Sequence, residues 1–167
     1  RKAYPNVEVS LLESPKVPVI GVGEATTPAL PAFLHGTLGL DIGDFFRRAR
    51  PTWKLGIRFE WGRSGDYFFN YPFDEGLLLE SHCHEGHINH ASLQSVLMCH
   101  NKSCLIKVGP HQYSFRDRRF GYHIDNRRFV EYLAEESLRA GVKHMWGDLL
   151  SARLDVDGET IAEIYTD

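Results

Sequence analysis

The hydrophobic pattern opens on a short apolar run, Val7 to Leu12, set between Asn6 and Ser14-Pro15 and ending on Glu13. A run of that length between turn formers predicts a buried strand. Pro15 and Pro18 then hold the chain extended, because proline restricts both itself and its predecessor. Thr26 or Thr27 is placed to cap a helix with Pro28 in its first turn, continuing through Phe33, Leu34 and His35 to about Leu38. A second short helix is predicted from Asp44 to Arg50, burying Phe45 and Phe46 and presenting Arg47, Arg48 and Arg50 to solvent or anions, with Pro51 ending it.

From Trp53 to Gly62 the pattern changes to period two, the signature of a strand with one buried face. Trp53, Leu55, Ile57, Phe59 and Trp61 fall on one side, and Lys54, Gly56, Arg58 and Glu60 on the other. The stretch from Arg63 to Gly109 is less regular, with a helix expected around Ala91 to His100. A strand follows at Phe120 to Asp125. A helix is then predicted from Asn126 to Ala140, with Phe129, Val130, Leu133, Ser137 and Leu138 on one side and Gly141 closing it. Val142 to Trp146, Ser151 to Val156 and Thr160 to Thr166 read as strands, the last two joined by a turn at Asp157-Gly158. The order of elements predicts a mixed α/β chain.

Composition narrows the function classes. The 167 residues suffice for one domain, and 43% hydrophobic with 25% charged residues is ordinary for a globular protein. A net charge of -3 carries no basic surplus, so nucleic acid is not an expected partner. No uninterrupted apolar run is long enough to cross a bilayer, and the first residues lack the apolar core of a signal peptide. Three cysteines, Cys83, Cys99 and Cys104, fit reduced thiols, so a cytoplasmic protein without membrane partners is expected. The start at Arg1 and the strand-like run that stops at Asp167 make both ends look cut.

Several residues are candidates for chemistry, each with a plainer reading beside it. Glu13 stands where a dinucleotide-binding fold places an acid for ribose hydroxyls, or is a solvated strand-end glutamate. Gly21-Val22-Gly23-Glu24-Ala25-Thr26 would let backbone approach a flat ligand, or is an ordinary turn. Lys54 is a solvated side chain, or an ammonium poised in a water-poor pocket to meet an electrophilic oxidant. The run His82-Cys83-His84-Glu85-Gly86-His87-Ile88-Asn89-His90 is rich in metal-ligand types, but its spacing matches neither paired cysteines nor the two-histidine helix motif, so no metal is expected. His123 and Asp125 could form an oriented imidazole pair, although Asp125 also suits a helix cap.

Gly21 to Thr26 followed by Pro28, and Trp53-Lys54 opening a strand that ends Phe59-Glu60-Trp61, together resemble the flavin-dependent tryptophan-halogenase family. Tyr122-His123-Ile124-Asp125, the helix through Phe129 and Leu133, and Gly141-Val142-Lys143-His144 follow the same family's pattern. The resemblance implies part of a Rossmann-like FAD-binding monooxygenase fold with a mixed sheet and β-meander. It divides the chain into a partial FAD-binding segment with the lysine strand (1–62), a substrate-side insertion (63–120) and a return to the FAD-binding domain (121–167).

In that family reduced FAD, supplied by a separate flavin reductase, gives a hydroperoxide that a halide ion attacks to form hypohalous acid, and a lysine relays the oxidant to an electron-rich aromatic substrate. By match, Lys54 takes the catalytic role. Gly21, Val22, Gly23, Glu24, Ala25 and Thr26 form a strap beside the flavin, Glu13 and Ser14 approach the adenosine, and Leu149 meets the adenine. The substrate is a small aromatic molecule or a carrier-bound one. The family's glycine fingerprint belongs before residue 1, and its W-x-W-x-I-P motif and the glutamate partnering the lysine belong after residue 167, so this stretch alone is expected to be inactive. Two alternatives accompany the reading: a flavin-dependent aromatic hydroxylase, which needs no lysine relay, and a non-catalytic flavoprotein remnant.

Overall fold

The computed structural model describes residues 5–18, 26–74, 89, 92–110, 112–115 and 119–167. The chain divides into two compact units, Arg1–Val22 with Asn126–Asp167, and Gly23–Asp125.

In the first unit, strand β1 (Ser10–Glu13) runs parallel to β8 (Lys143–Trp146), with Glu13 opposite Trp146. Helix α4 (Asn126–Arg139) feeds β8 through Gly141, whose φ of +79° and N–H to the Leu138 carbonyl, with Val142 N–H to Ser137, make a complete Schellman closure. The helix ends where its glycine predicts. Its inward face is another matter: Tyr132 is buried, while Val130 and Leu138 are exposed. At 100° per residue, Phe129, Tyr132, Leu133, Glu136 and Ser137 make one continuous stripe, with Leu138 half a turn away from Phe129. The predicted strand at Val7 to Leu12 is also shifted and less covered, beginning at Ser10 and leaving Val7 and Leu11 about half exposed. Among the described residues β1 has one ladder neighbour, β8, and a strand paired along one edge gains little cover from that pairing. Strands β9 (Leu149–Leu154) and β10 (Ile161–Thr166) form an antiparallel hairpin. Its turn is made as expected: Gly158 has φ +71° and Asp157 Oδ1 accepts from the Glu159 and Thr160 amides.

The second unit is built on an aromatic core. A single α-helical turn, α1 (Ala29–Pro31), passes into a π-helical segment (Ala32–Thr37) closed by the Leu38 N–H to the Phe33 carbonyl. Pro28 is the N-cap and no side chain caps this helix, which corrects the expected role of Thr26 or Thr27. Helix α2 (Ile42–Arg48) starts two residues earlier than predicted, capped by Asp41, whose carboxylate accepts from the Asp44 amide at 2.6 Å. It ends at Arg48 with Ala49 as its C-cap, and Arg50, in the left-handed region at φ +49°, turns the chain out ahead of Pro51.

The predicted strand from Trp53 to Gly62 is two strands. Strand β2 (Thr52–Lys54) pairs with β7 (Gly121–His123), and β3 (Gly56–Trp61) pairs with β4 (Tyr67–Pro72). The chain changes ladders at Leu55, whose carbonyl accepts from Phe73 N–H at 2.8 Å. Gly56 makes the crossing possible: a Cβ there would lie 2.3 Å from the Tyr71 carbonyl oxygen. The change of ladder also undoes the expected common face. Trp61 is 59% exposed, while Lys54 and, across from Arg58, Asn70 are buried. Helix α3 (Leu93–Cys99) covers the Arg58 and Asn70 side, where Asn70 Nδ2 donates to the Ser95 carbonyl at 3.2 Å and Arg58 to the Met98 carbonyl at 3.3 Å. Strands β5 (Leu105–Lys107) and β6 (Tyr113–Phe115) form a further hairpin. No helix among the described residues is long and apolar enough to cross a membrane.

Candidate active site

The lysine site rests on the short β2–β7 ladder, in which Thr52 faces His123, Trp53 faces Tyr122 and Lys54 faces Gly121. Paired residues share a face and successive residues alternate. Trp53 and Tyr122 therefore point to one side, into a cluster where Phe45 lies 5.2 Å from Tyr122, Phe46 4.5 Å from Trp53 and Phe120 4.9 Å from Trp53. Lys54, Gly121 and His123 point to the other.

That aromatic cluster is pinned by a polar contact. His35 Nδ1 lies 2.9 Å from the Leu40 carbonyl, which can only accept, so Nδ1 carries a proton and, in the neutral ring, Nε2 accepts from the Tyr122 hydroxyl at 3.0 Å. Burial raises the Tyr122 hydroxyl to about 12.

Lys54 is 8% exposed, its ammonium 5.7 Å from the centre of the Phe73 ring. Burial lowers its pKa, and among the described residues no carboxylate pairs with it to offset that effect. The His123 imidazole is held below its ordinary range, first by burial and then by the Lys54 charge. The site is thus a buried amine beside an aromatic ring, its pKa drawn down by burial, sharing a sheet face with an imidazole whose pKa is also lowered.

Thr26 sits against this face. Its hydroxyl donates to the Tyr122 carbonyl and accepts from the Tyr122 amide, both at 2.6 Å. A Cβ on Gly121 would meet the Thr26 carbonyl oxygen and hydroxyl at 2.9 Å, so only glycine lets the Thr26 segment lie this close to Lys54's ladder partner. Gly121 and Phe73 were not singled out by sequence reasoning. Gly121 could have been found as a glycine inside a β-rich run, which marks close backbone approach; Phe73 carries no such local signal. Of the proposed strap, Gly21, Val22, Gly23, Glu24 and Ala25 lie outside the described residues, as does the His82–His90 run except Asn89. Asn89 bridges the β4 edge, accepting from Asn70 N–H at 2.7 Å and donating to the Phe68 carbonyl at 3.1 Å. Among the described residues no group of three or more metal-ligand side chains converges.

In the first unit, Glu13 and Ser14 lie at the carboxyl end of the parallel β1–β8 pair, the end at which open α/β sheets take their ligands. The Glu13 side chain is 43% exposed, with one carboxylate oxygen 2.8 Å from His144 Nε2. That imidazole nitrogen lacks a properly directed hydrogen bond, so the contact is a close approach only and leaves the carboxylate able to accept elsewhere. The Ser14 hydroxyl is already committed, donating to Asp148 and accepting from the Lys16 amide. Lys16 in turn binds Asp148 at 2.6 Å and Asp167 at 2.8 Å, and these bonds hold both carboxyls below their usual range. Leu149 begins β9 and is 60% exposed, an apolar surface three residues beyond Glu13's ladder partner Trp146.

A model of the tryptophan halogenase family matches residues 1–167. Tryptophan 7-halogenase RebH of Lentzea aerocolonigenes is 33% identical over 60 residues, 35% of this chain and 11% of that protein. Tryptophan 6-halogenase SttH of Streptomyces toxytricini is 25% identical over 190 residues, 95% of this chain and 36% of that protein. The crystal structure of MibH, a lathipeptide tryptophan 5-halogenase, superposes with a TM-score of 0.80 at 38% identity, covering 97% of this chain and 32% of that one. The mixed α/β arrangement is the fold of these structures. The chain spans about a third of the length of relatives that it matches from end to end. With the match unbroken from the first residue to the last, this chain belongs to the tryptophan halogenase family.

Proposed function

We propose that this chain contributes the lysine site and part of the cofactor site of a FAD-dependent halogenase that chlorinates or brominates an electron-rich aromatic substrate. The observation that carries the reading is Lys54, an ammonium 8% exposed beside Phe73 in a chain matched by the family over its whole length. A depressed pKa enlarges the fraction of neutral amine. Neutral Lys54 can attack hypohalous acid at halogen, forming an N–halogen bond and releasing water; as the ammonium it can donate a hydrogen bond that orients the same acid. Phe73 and the β2–β7 ladder keep bulk water from the amine, which limits hydrolysis and side reactions.

The residues of the first unit suit an adenosine group. Glu13 offers a carboxylate acceptor at the carboxyl end of a parallel strand pair, and Leu149 offers apolar surface for a base. Ser14 supports Glu13's neighbourhood through Asp148 while spending its own hydroxyl there. Residues 21–26 complete the reading as the strap beside the flavin. Bound reduced FAD would supply, with oxygen and a halide ion, the oxidised halogen; a separate flavin reductase would supply the reduced cofactor. The relatives' names point to tryptophan, in one case in a lathipeptide; another indole or a carrier-bound substrate, and a cytoplasmic location, belong to the same proposal.

The test is Lys54→Ala in the full-length protein, supplied with FAD, a flavin reductase and bromide or chloride. Halogenated product should be lost while flavin oxidation continues. Retained product would overturn the lysine relay, and hydroxylated product at an undiminished rate would favour an aromatic hydroxylase.

A further inference from the structure

The β2–β7 ladder is only three residues long and ends at the Lys54–Gly121 pair, so the amine sits at an end of a short ladder, where pairing is weakest. Beyond it the two strands part, β2 turning through Leu55 into β3 and β7 arriving from Arg119 and Phe120. One buried side chain spans that gap. Gln94, 1% exposed on α3, accepts from Phe73 N–H through Oε1 at 3.0 Å and donates from Nε2 to the Arg119 carbonyl at 2.8 Å. Its own amide N–H donates to Asp74 at 3.3 Å. Phe73 N–H is shared with the Leu55 carbonyl at 2.8 Å, so one primary amide links the residue after Lys54, the ring facing Lys54, and the approach to Gly121. Burying an amide costs free energy unless both of its ends are bonded, and here both are.

We propose that Gln94 is a positioning residue for Lys54, clamping Phe73 to Arg119 across the open end of the ladder and so keeping the amine dry and against the Phe73 ring. The inference rests on Lys54 as the relay, and its test separates the two. Gln94→Met keeps length and bulk but removes both side-chain hydrogen bonds. In the full-length protein, lysines are acylated competitively with acetic anhydride across a pH series and read by peptide mass spectrometry, with exposed Lys102 and Lys107 as internal references. Acylation of Lys54 relative to these should rise by about threefold or more as the clamp opens. Product formed per flavin oxidised should fall about tenfold as the relay loses its geometry. Gln94→Glu, which keeps the acceptor for Phe73 but sets an acceptor against the Arg119 carbonyl, should move both readouts in the same direction, and it carries the test if the methionine variant does not fold. Unchanged relative acylation of Lys54 overturns the proposal, even where product or thermal stability falls, because that pattern marks a merely structural role. Retained product in Lys54→Ala would overturn the relay alone, since the acylation readout needs no turnover.

Discussion

The hydroxyl of Thr26 and the backbone of Tyr122 make two hydrogen bonds of 2.6 Å, one in each direction, across 96 residues of sequence. A side chain here does what a neighbouring strand would do, satisfying one N–H and one C=O of β7 on the lysine face.

Thr26→Val preserves shape and strands both Tyr122 groups. It should destabilise the protein by about 1–3 kcal/mol, read as a shift in denaturation midpoint, and Thr26→Ser should recover most of the loss. An unshifted midpoint in the valine variant would show that water replaces the hydroxyl.

Gly56→Ala drives a methyl group to 2.3 Å from the Tyr71 carbonyl oxygen and 2.8 Å from Met98 Sδ and the Pro72 Cα; the methionine side chain can swing aside, but the two backbone atoms cannot yield without moving β4. A loss of about 3 kcal/mol is expected. Gly36→Ala, whose new methyl meets nothing within 4 Å, serves as the control and should be neutral or mildly stabilising in a melting experiment.

Because burial lowers the Lys54 pKa in the folded state, the unfolded chain binds more protons between the folded value and 10.5, and stability rises with pH through that window. Lys54→Met should therefore be more stable than the parent at neutral pH, with the difference shrinking as the pH approaches 10.5. The same substitution removes the charge acting on His123, so its imidazole titration, followed by NMR, should move part of the way up toward 6.5. A His123 titration that does not move would mean that the two side chains do not share a face in solution.

Tyr122 has the opposite sign. Its hydroxyl is raised to about 12 in the folded state, so the stability it brings is complete below pH 10 and is lost as pH rises through 12. Tyr122→Phe should flatten that alkaline decline and, by leaving His35 Nε2 without its donor, cost about 1 kcal/mol at neutral pH.

On the cofactor side, Glu13→Gln should weaken FAD binding to the full-length protein about tenfold, the worth of a charged acceptor on a ribose hydroxyl. Flavin fluorescence titration reads the change, and an unaltered Kd would remove Glu13 from the adenosine site.

What the sequence determined by itself is what neighbouring residues decide among themselves: the span of α4 and its closure at Gly141, the turn at Asp157-Gly158, and the end of α2 before Pro51. Helix caps and tight turns depend on φ, ψ and side chains a few residues away. The motifs around Gly21 to Thr26 and Trp53-Lys54 also sufficed to find the family. Burial was decided elsewhere. Period-two alternation told correctly that Lys54 and Trp53 face opposite ways, yet which face is covered depends on β7, nearly seventy residues downstream, and on α3, which covers the polar side of β3 and β4 and leaves Trp61 in solvent. Thr26, read locally as a helix cap, is claimed instead by Tyr122 because only the folded chain brings a bare strand backbone to it, and only Gly121 leaves room. Alternation sets the direction of a side chain; what waits there is set by contacts whose partners lie too far apart in sequence for any local pattern to encode.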